Sequence, residues 1–204
     1  MLKISNLGFY YKDEKWLFRH LNFTFHRNEI VGIYGDSGIG KSTFAKLIAG
    51  YLQPREGEII TPTMEIRAGS NNPIQLIWQH PERAINPKWK LVKVFQEADD
   101  LPDNIQQLLS IKDGWLNRYP HELSGGELQR FCIARSLGKD TRFIVADEIT
   151  SMFDAITQAS LWHMLLKLVR DQGIGMIVIS HQLHLLKRLA DRIIQFNELI
   201  APQV

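Results

Sequence analysis

The stretch EIVGIYGDSGIGKSTFAKLI, residues 29–48, decides the fold. It opens as a short apolar strand and closes on FAKLI, where Phe44, Leu47 and Ile48, with Tyr51 beyond, follow helical spacing. Gly50 and Pro54 are the stop signals for that helix. Between strand and helix lies Gly35-Asp36-Ser37-Gly38-Ile39-Gly40-Lys41-Ser42, the pattern GxxxxGK[ST]. Glycines let a backbone wrap closely round phosphates, and the N–H groups of the loop and of the helix start point at the anion. Lys41 is expected on the β- and γ-phosphates, Ser42 on Mg²⁺ and Thr43 on the α-phosphate. With Gly near 7% of residues, the full pattern arises by accident in roughly one protein of this length in a few hundred. A strand before it and a helix after it narrow that further, so the stretch predicts nucleotide binding.

Working outward, LKISNLGFYY and LNFTFHR carry β-branched and aromatic residues in partial alternation, which makes residues 1–34 strand-rich. The segment 74–78 reads as a further buried strand. Residues 82–138 change character: they mix polar and apolar side chains and hold helical stretches, LVKVFQEA and NIQQLLSI. From Arg142 a β/α alternation resumes, with FIVAD and MIVIS as strands and 156–170 and LHLLKRLA as helices. Apolar strands separated by helices predict a mostly parallel sheet covered by helices, an α/β fold. We read 1–204 as one domain, with an α/β core from 1–81 and 139–204 and a helical subdomain inserted at 82–138.

Composition excludes several classes. Of 204 residues, 45% are hydrophobic and 23% charged, the balance of a globular chain that can bury a conventional core. Net charge is +2, too small to suggest nucleic acid or an anionic membrane as a partner through bulk charge. The single cysteine, Cys132, allows no intrachain disulfide and suits a reducing compartment. The opening MLKISNLGFYYKDEK breaks the apolar run a signal peptide needs, and stretches such as 174–179 fall far short of the roughly 20 residues that cross a bilayer. A soluble protein able to dock on a membrane partner is expected.

Two further motifs follow. In FIVADE, an apolar strand ends in Asp147-Glu148 and brings carboxylates to the carboxyl edge of the sheet, where the phosphate loop also sits. Asp147 can hold Mg²⁺ and Glu148 can polarise a water for in-line attack on a γ-phosphate. Alone, such a pair is an ordinary solvated strand end; behind an intact phosphate loop it points to hydrolysis. The third motif is Leu123-Ser124-Gly125-Gly126-Glu127, followed by LQR and the helix FCIARSL. It resembles the signature sequence of ATP-binding-cassette (ABC) ATPases, and it lies between the other two motifs in the expected order.

That resemblance covers almost the whole chain. It implies a P-loop NTPase (RecA-like) core with an N-terminal antiparallel β subdomain and an inserted α-helical subdomain, and it implies ATP and Mg²⁺ as ligands. Gln79 resembles the Q-loop glutamine, a catalytic and metal-side position; Ser151-Met-Phe-Asp154 resembles the D-loop, and His181 the switch histidine. Tyr11 aligns with the aromatic that stacks on adenine, Tyr10 being the alternative. The signature motif opens a helix, so Ser124 and the N–H groups of Gly125 and Gly126 form an anion site. In ABC proteins this site faces the γ-phosphate bound by a second subunit. One chain therefore carries two half-sites, and a head-to-tail pair, with itself or with a related chain, is implied.

Two strings narrow the subgroup. QHPERAINP (79–87) and RYPHELSGGE (118–127) resemble segments of oligopeptide, dipeptide and nickel import ATPases of bacteria, as does Asp154-Ala-Ile-Thr-Gln158. The resemblance then implies membrane permease subunits and an extracytoplasmic solute-binding protein as partners, no nucleic acid, and a place on the cytoplasmic face of the bacterial membrane. The alternative is a soluble ABC ATPase similar to the carbon–phosphorus lyase subunits. Departures from the family pattern are His80 for Asp, Phe153 for Leu and Ile149 for Pro. The chain also runs only a short way past His181, unlike the extended peptide importers. Without proline's fixed φ, Ile149 is expected to leave Glu148 less rigidly placed. No phosphate, metal or water ligand is lost, so an active ATPase is expected.

Overall fold

The computed structural model describes residues 1–12, 15–61, 72–98 and 101–200. The chain opens with β1 (Leu2–Phe9) and β2 (Phe18–Phe25), which pair antiparallel with Leu2 opposite Phe25 and Phe9 opposite Phe18. Then come β3 (Ile30–Tyr34), α1 (Lys41–Ile48) and β4 (Glu56–Ile60). β4 joins the other edge of β1, also antiparallel, to complete a three-stranded sheet in the order β2-β1-β4. Next follow β5 (Ile74–Ile77) and the short helices α2 (Pro81–Ala84), α3 (Leu91–Phe95), α4 (Ile105–Leu108) and α5 (Asp113–Leu116). A 3₁₀ turn at Pro120–Glu122 leads into α6 (Gly125–Arg135). The chain closes with β6 (Phe143–Asp147), α7 (Ala155–Asp171), β7 (Gly175–Ser180), α8 (Leu183–Leu189), β8 (Arg192–Gln195) and α9 (Phe196–Ile200).

The second sheet is parallel throughout, in the order β5-β6-β7-β3-β8. Its central strands β6 and β7 are buried along their whole length, which is why they read as unbroken apolar runs instead of alternating ones. One core lies on the face covered by α6, α7 and α8, where Phe131, Leu165 and Leu186 are fully buried. The other fills the space between the two sheets around α1. There Phe44 packs against Phe18, Phe23 and Phe196 at ring-centroid distances of 6.2, 5.5 and 5.4 Å. Truncating a buried ring of this kind costs about 3–5 kcal/mol, and this ring anchors the helix that follows the phosphate loop.

Two expectations shift. Tyr51 does not continue the apolar face of α1: the helix ends at Ile48, and left-handed Gly50 (φ +78°) donates to Leu47 while Tyr51 donates to Lys46. That closure turns the chain outward, leaving Tyr51 59% exposed with its ring edge-on to Trp78. In the middle of the chain the expected helices are present but broken into single turns, and among the described residues there only α6 is long.

Candidate active site

Because β6, β7 and β3 are parallel neighbours, the segments leaving their carboxyl ends emerge side by side. These are Glu148 after β6, His181 after β7, and 35–40 after β3. The phosphate loop needs its glycines for two reasons. Gly40 precedes α1 at φ +106°, and a Cβ on Gly35 would lie 2.5 Å from Ile39 Cδ1 and 2.9 Å from Asn197 Oδ1. Asp36, Ser37 and Gly38 are exposed at the tip. Asn197 closes the loop from the far end of the chain, its amide donating to Asp36 Oδ2 at 2.9 Å.

Lys41 lies inside this loop, 5% exposed, and its ammonium donates to the carbonyls of Gly35 (2.7 Å) and Asp36 (2.6 Å). Burial pushes its pKa below the usual lysine range, against the pull of Glu148, Asp147 and Asp36. Asp147 is likewise buried, and desolvation raises its carboxyl above the usual range despite a hydrogen bond with Ser42. Its Oδ1 is buried with no hydrogen-bond partner among the described residues, an expensive state for a carboxylate oxygen. Ser42 itself is exposed.

Glu148 takes a left-handed backbone (φ +50°), rare for a residue with a side chain and costing of order 1–3 kcal/mol. It is pinned there: its N–H donates to Ile179, and its Oε1 lies 3.0 Å from His181 Nδ1. Ile149 is 2% exposed and packs in the core. Where the family pattern has proline, with its fixed φ, this chain has an isoleucine whose side chain is packed in the core beside Glu148.

The remaining residues separate into two groups. Tyr11 reaches the phosphate-loop helix, its hydroxyl 2.8 Å from Thr43 Oγ1, with the ring exposed above. Tyr10 turns away to meet Trp16 edge-on and lies under Arg55, so only Tyr11 faces the loop. Gln79 donates to Ser151 Oγ at 3.1 Å, beside the Glu148 turn. Ser124 and Asp154, by contrast, satisfy their own helices. Ser124 caps α6 in a reciprocal box with Glu127, and Asp154 caps α7 by accepting from the amides of Ile156 and Thr157 at 3.0 Å each. The Thr157 hydroxyl and amide hold the Asp154 carboxyl below the usual range. These two helix starts touch: a Cβ on Gly125 would lie 3.3 Å from Phe153, and one on Gly126 2.9 Å from Thr157.

Sequence reading missed Asn197, which pairs with a residue 161 positions away. It also missed the partners of Thr150, a buried hydroxyl that accepts from Gln158 Nε2 (2.8 Å) and Trp162 Nε1 (3.0 Å). A buried indole needs an acceptor, but spacing alone does not name it.

Residues 18–151 match the ABC transporter family profile. The chain belongs to that family. It is an ATP-binding ABC ATPase, similar to the nickel import system ATP-binding protein NikE of Staphylococcus aureus (strain bovine RF122 / ET3-1), with 36% identity over 97% of this chain and 87% of NikE. It is also similar to the oligopeptide transport ATP-binding protein OppF of Haemophilus influenzae, with 32% identity over 95% of this chain and 68% of OppF. Among solved structures, the dimeric post-hydrolysis state of the cassette MJ0796 bound to ADP and Pi shares the fold of this ABC ATPase at a TM-score of 0.78, with 24% identity over 96% of this chain and 94% of that one. The cbiO1 structure of Clostridium perfringens does so at 0.77, with 23% identity over 94% and 82%. The P-loop NTPase fold expected from the sequence is the fold found. Among the described residues no helix is long and apolar enough to cross a membrane.

Proposed function

We propose that this ABC ATPase hydrolyses Mg²⁺-bound ATP in a head-to-tail pair on the cytoplasmic face of a bacterial membrane, and so powers import of a small solute such as a peptide or nickel. The observation that carries the hydrolytic reading is the convergence of Lys41, Asp147, Glu148 and His181 at one edge of the sheet. The importing role rests on NikE and OppF, which are named for nickel import and oligopeptide transport.

The donor set fits the metal. A buried carboxylate oxygen without a partner, next to a serine hydroxyl, offers the hard oxygens that Mg²⁺ takes together with water and phosphate. Asp147, Ser42 and Gln79 would hold it, and the ion would neutralise charge on the phosphates. Lys41 exchanges the two loop carbonyls for β- and γ-phosphate oxygens, and the N–H groups from Gly35 to Thr43 surround the anion. Tyr11 stacks on adenine. Glu148 accepts the proton of the attacking water as its oxygen bonds to the γ-phosphorus and the bond to ADP breaks. His181 steadies the γ-phosphate. The charge thus develops where fixed donors already point.

Ser124, Gly125, Gly126 and Asp154 complete the site of the second subunit, homologous or identical. Exposed apolar residues beside them, Met152 (61%) and Ile156 (83%), suit burial in such a seam. A groove of about 440 Å³ between β5 and the helices of 82–138, lined by Tyr51, Trp78, Arg83 and Arg135, suits a cytoplasmic helix of a permease. In an importer a solute-binding protein delivers the cargo outside the membrane.

Glu148→Gln tests the chemistry. It keeps size and reach but removes the base, so hydrolysis falls at least about 100-fold while ATP still binds, and size-exclusion chromatography with ATP shows an accumulated pair. A wild-type rate would move the water's activation elsewhere. Co-purification with a membrane permease tests the importing role; recovery in a purely soluble complex would reject it.

A further inference from the structure

Asp147 is followed by a tight turn, Glu148 to Ser151, closed by the Ser151 N–H donating to the Glu148 carbonyl at 3.2 Å and extended by Phe153 donating to Thr150. The strained residue opens this turn, and its N–H ties it to Ile179 on the sheet side only. Something must hold the other end. Thr150 is 2% exposed, and its one hydroxyl oxygen receives two donors from α7, the Gln158 amide and the Trp162 indole. Both donors lie on the face of α7 one and two turns in from its capped start, and the residue before Gln158 is Thr157, whose methyl group lies against Gly126. Consecutive residues of α7 thus touch the start of α6 and the turn that carries Glu148.

We infer that Gln158 and Trp162 are positioning residues for hydrolysis: through the Thr150 hydroxyl they hold the 148–151 turn, and with it the left-handed Glu148 beside His181. Both side chains bond to Thr150, not to the phosphate loop. Their effect falls on the chemical step more than on nucleotide binding, because Lys41, Ser42 and Thr43 are carried by the loop and helix that follow β3. This rests on Glu148 being the group that takes the water's proton.

The test compares Thr150→Val with Thr150→Ser in the purified chain. Valine keeps the shape of threonine and removes the acceptor; serine keeps the acceptor. Thr150→Val lowers kcat by about five- to a hundredfold, the scale of two buried hydrogen bonds, with KM for ATP little changed, and Thr150→Ser restores most of the rate. Trp162→Phe and Gln158→Met each lower kcat in the same direction. Trp162→Phe added to Thr150→Val lowers it no further, since the bond it removes is already gone. Hydrogen–deuterium exchange gives a readout independent of turnover: the amides of Ser151 and Phe153 exchange faster in Thr150→Val than in wild type or Thr150→Ser. Equal loss in the valine and serine variants, additive loss in the double variant, or unchanged exchange would overturn the inference. Glu148→Gln run alongside separates the two claims. If it hydrolyses at the wild-type rate, the role of Glu148 fails; if it is dead while Thr150→Val turns over normally, the clamp fails and Glu148 keeps its role.

Discussion

At the carboxyl edge of the parallel sheet, a lysine is buried against backbone carbonyls, a carboxylate oxygen is buried without a partner among the described residues and a glutamate is held in a left-handed backbone. At the start of α6, Ser124 and Glu127 exchange hydrogen bonds with each other's backbone amides, and neither residue is buried. Both regions face anions in the reading above, yet the first stores unfavourable electrostatics and strain, whereas the second is a satisfied helix cap. The difference teaches which half of the site is built within one chain. Groups that are costly to leave empty are those a ligand repays; a satisfied, exposed cap has only its surface to offer, which suits the proposed contact with another subunit.

The largest effect that tests this contrast is at Lys41. Lys41→Met removes the cation aimed at the phosphates, so nucleotide affinity and turnover should each fall at least about 100-fold. Because burial already disfavours the charged lysine, the empty protein should lose little stability, with its thermal midpoint moving by no more than about 3 °C. A large drop in midpoint would mean that Lys41 holds the loop together and that the stored cost is absent. Affinity is measured with a fluorescent nucleotide and stability by calorimetry.

Next comes Ser124→Arg. It should leave nucleotide binding to the monomer within about twofold while removing ATP-driven pairing and most hydrolysis, and loss of the cap should destabilise the chain by about 1 kcal/mol. Monomer affinity falling as far as in the Lys41 variant would break the contrast, because the signature would then serve the nucleotide of its own chain. Sedimentation with and without ATP reads the pairing.

The smallest effect is a control at the opposite edge of the same sheet. Glu29, just before β3, accepts from Arg192 at 2.8 and 3.2 Å, and this bond holds its carboxyl below the usual range. Its stabilising contribution is therefore complete above the ordinary carboxylate pKa and fades as pH falls through the lowered value. Glu29→Gln should destabilise by about 0.2–1 kcal/mol at neutral pH, converge with wild type in acid, and leave turnover per folded molecule unchanged. A loss of turnover would show that charge at this edge also serves the site.

Residues 29–48 carried enough to read off the strand, loop and helix proposed to hold phosphate, because closely spaced glycines permit the left-handed turns such a loop needs and the flanking apolar spacing is local. The buried strands 143–147 and 175–180 were legible for a similar reason: strands covered on both faces must be apolar throughout. The signature resemblance carried the ABC fold and the order of the motifs. Only the tertiary structure decided the rest. Strand order set β6, β7 and β3 side by side, so that Glu148 met His181 across 33 residues and Asp36 met Asn197 across 161. Packing turned Tyr11 toward Thr43 and Tyr10 away from it, although the two are chain neighbours. It also buried Ile149 and tied Thr150 to Gln158 and Trp162 of α7. Local spacing constrains backbone shape within a few residues, whereas the partner of a buried polar group and the strain a residue bears depend on which distant segments the sheet brings into contact.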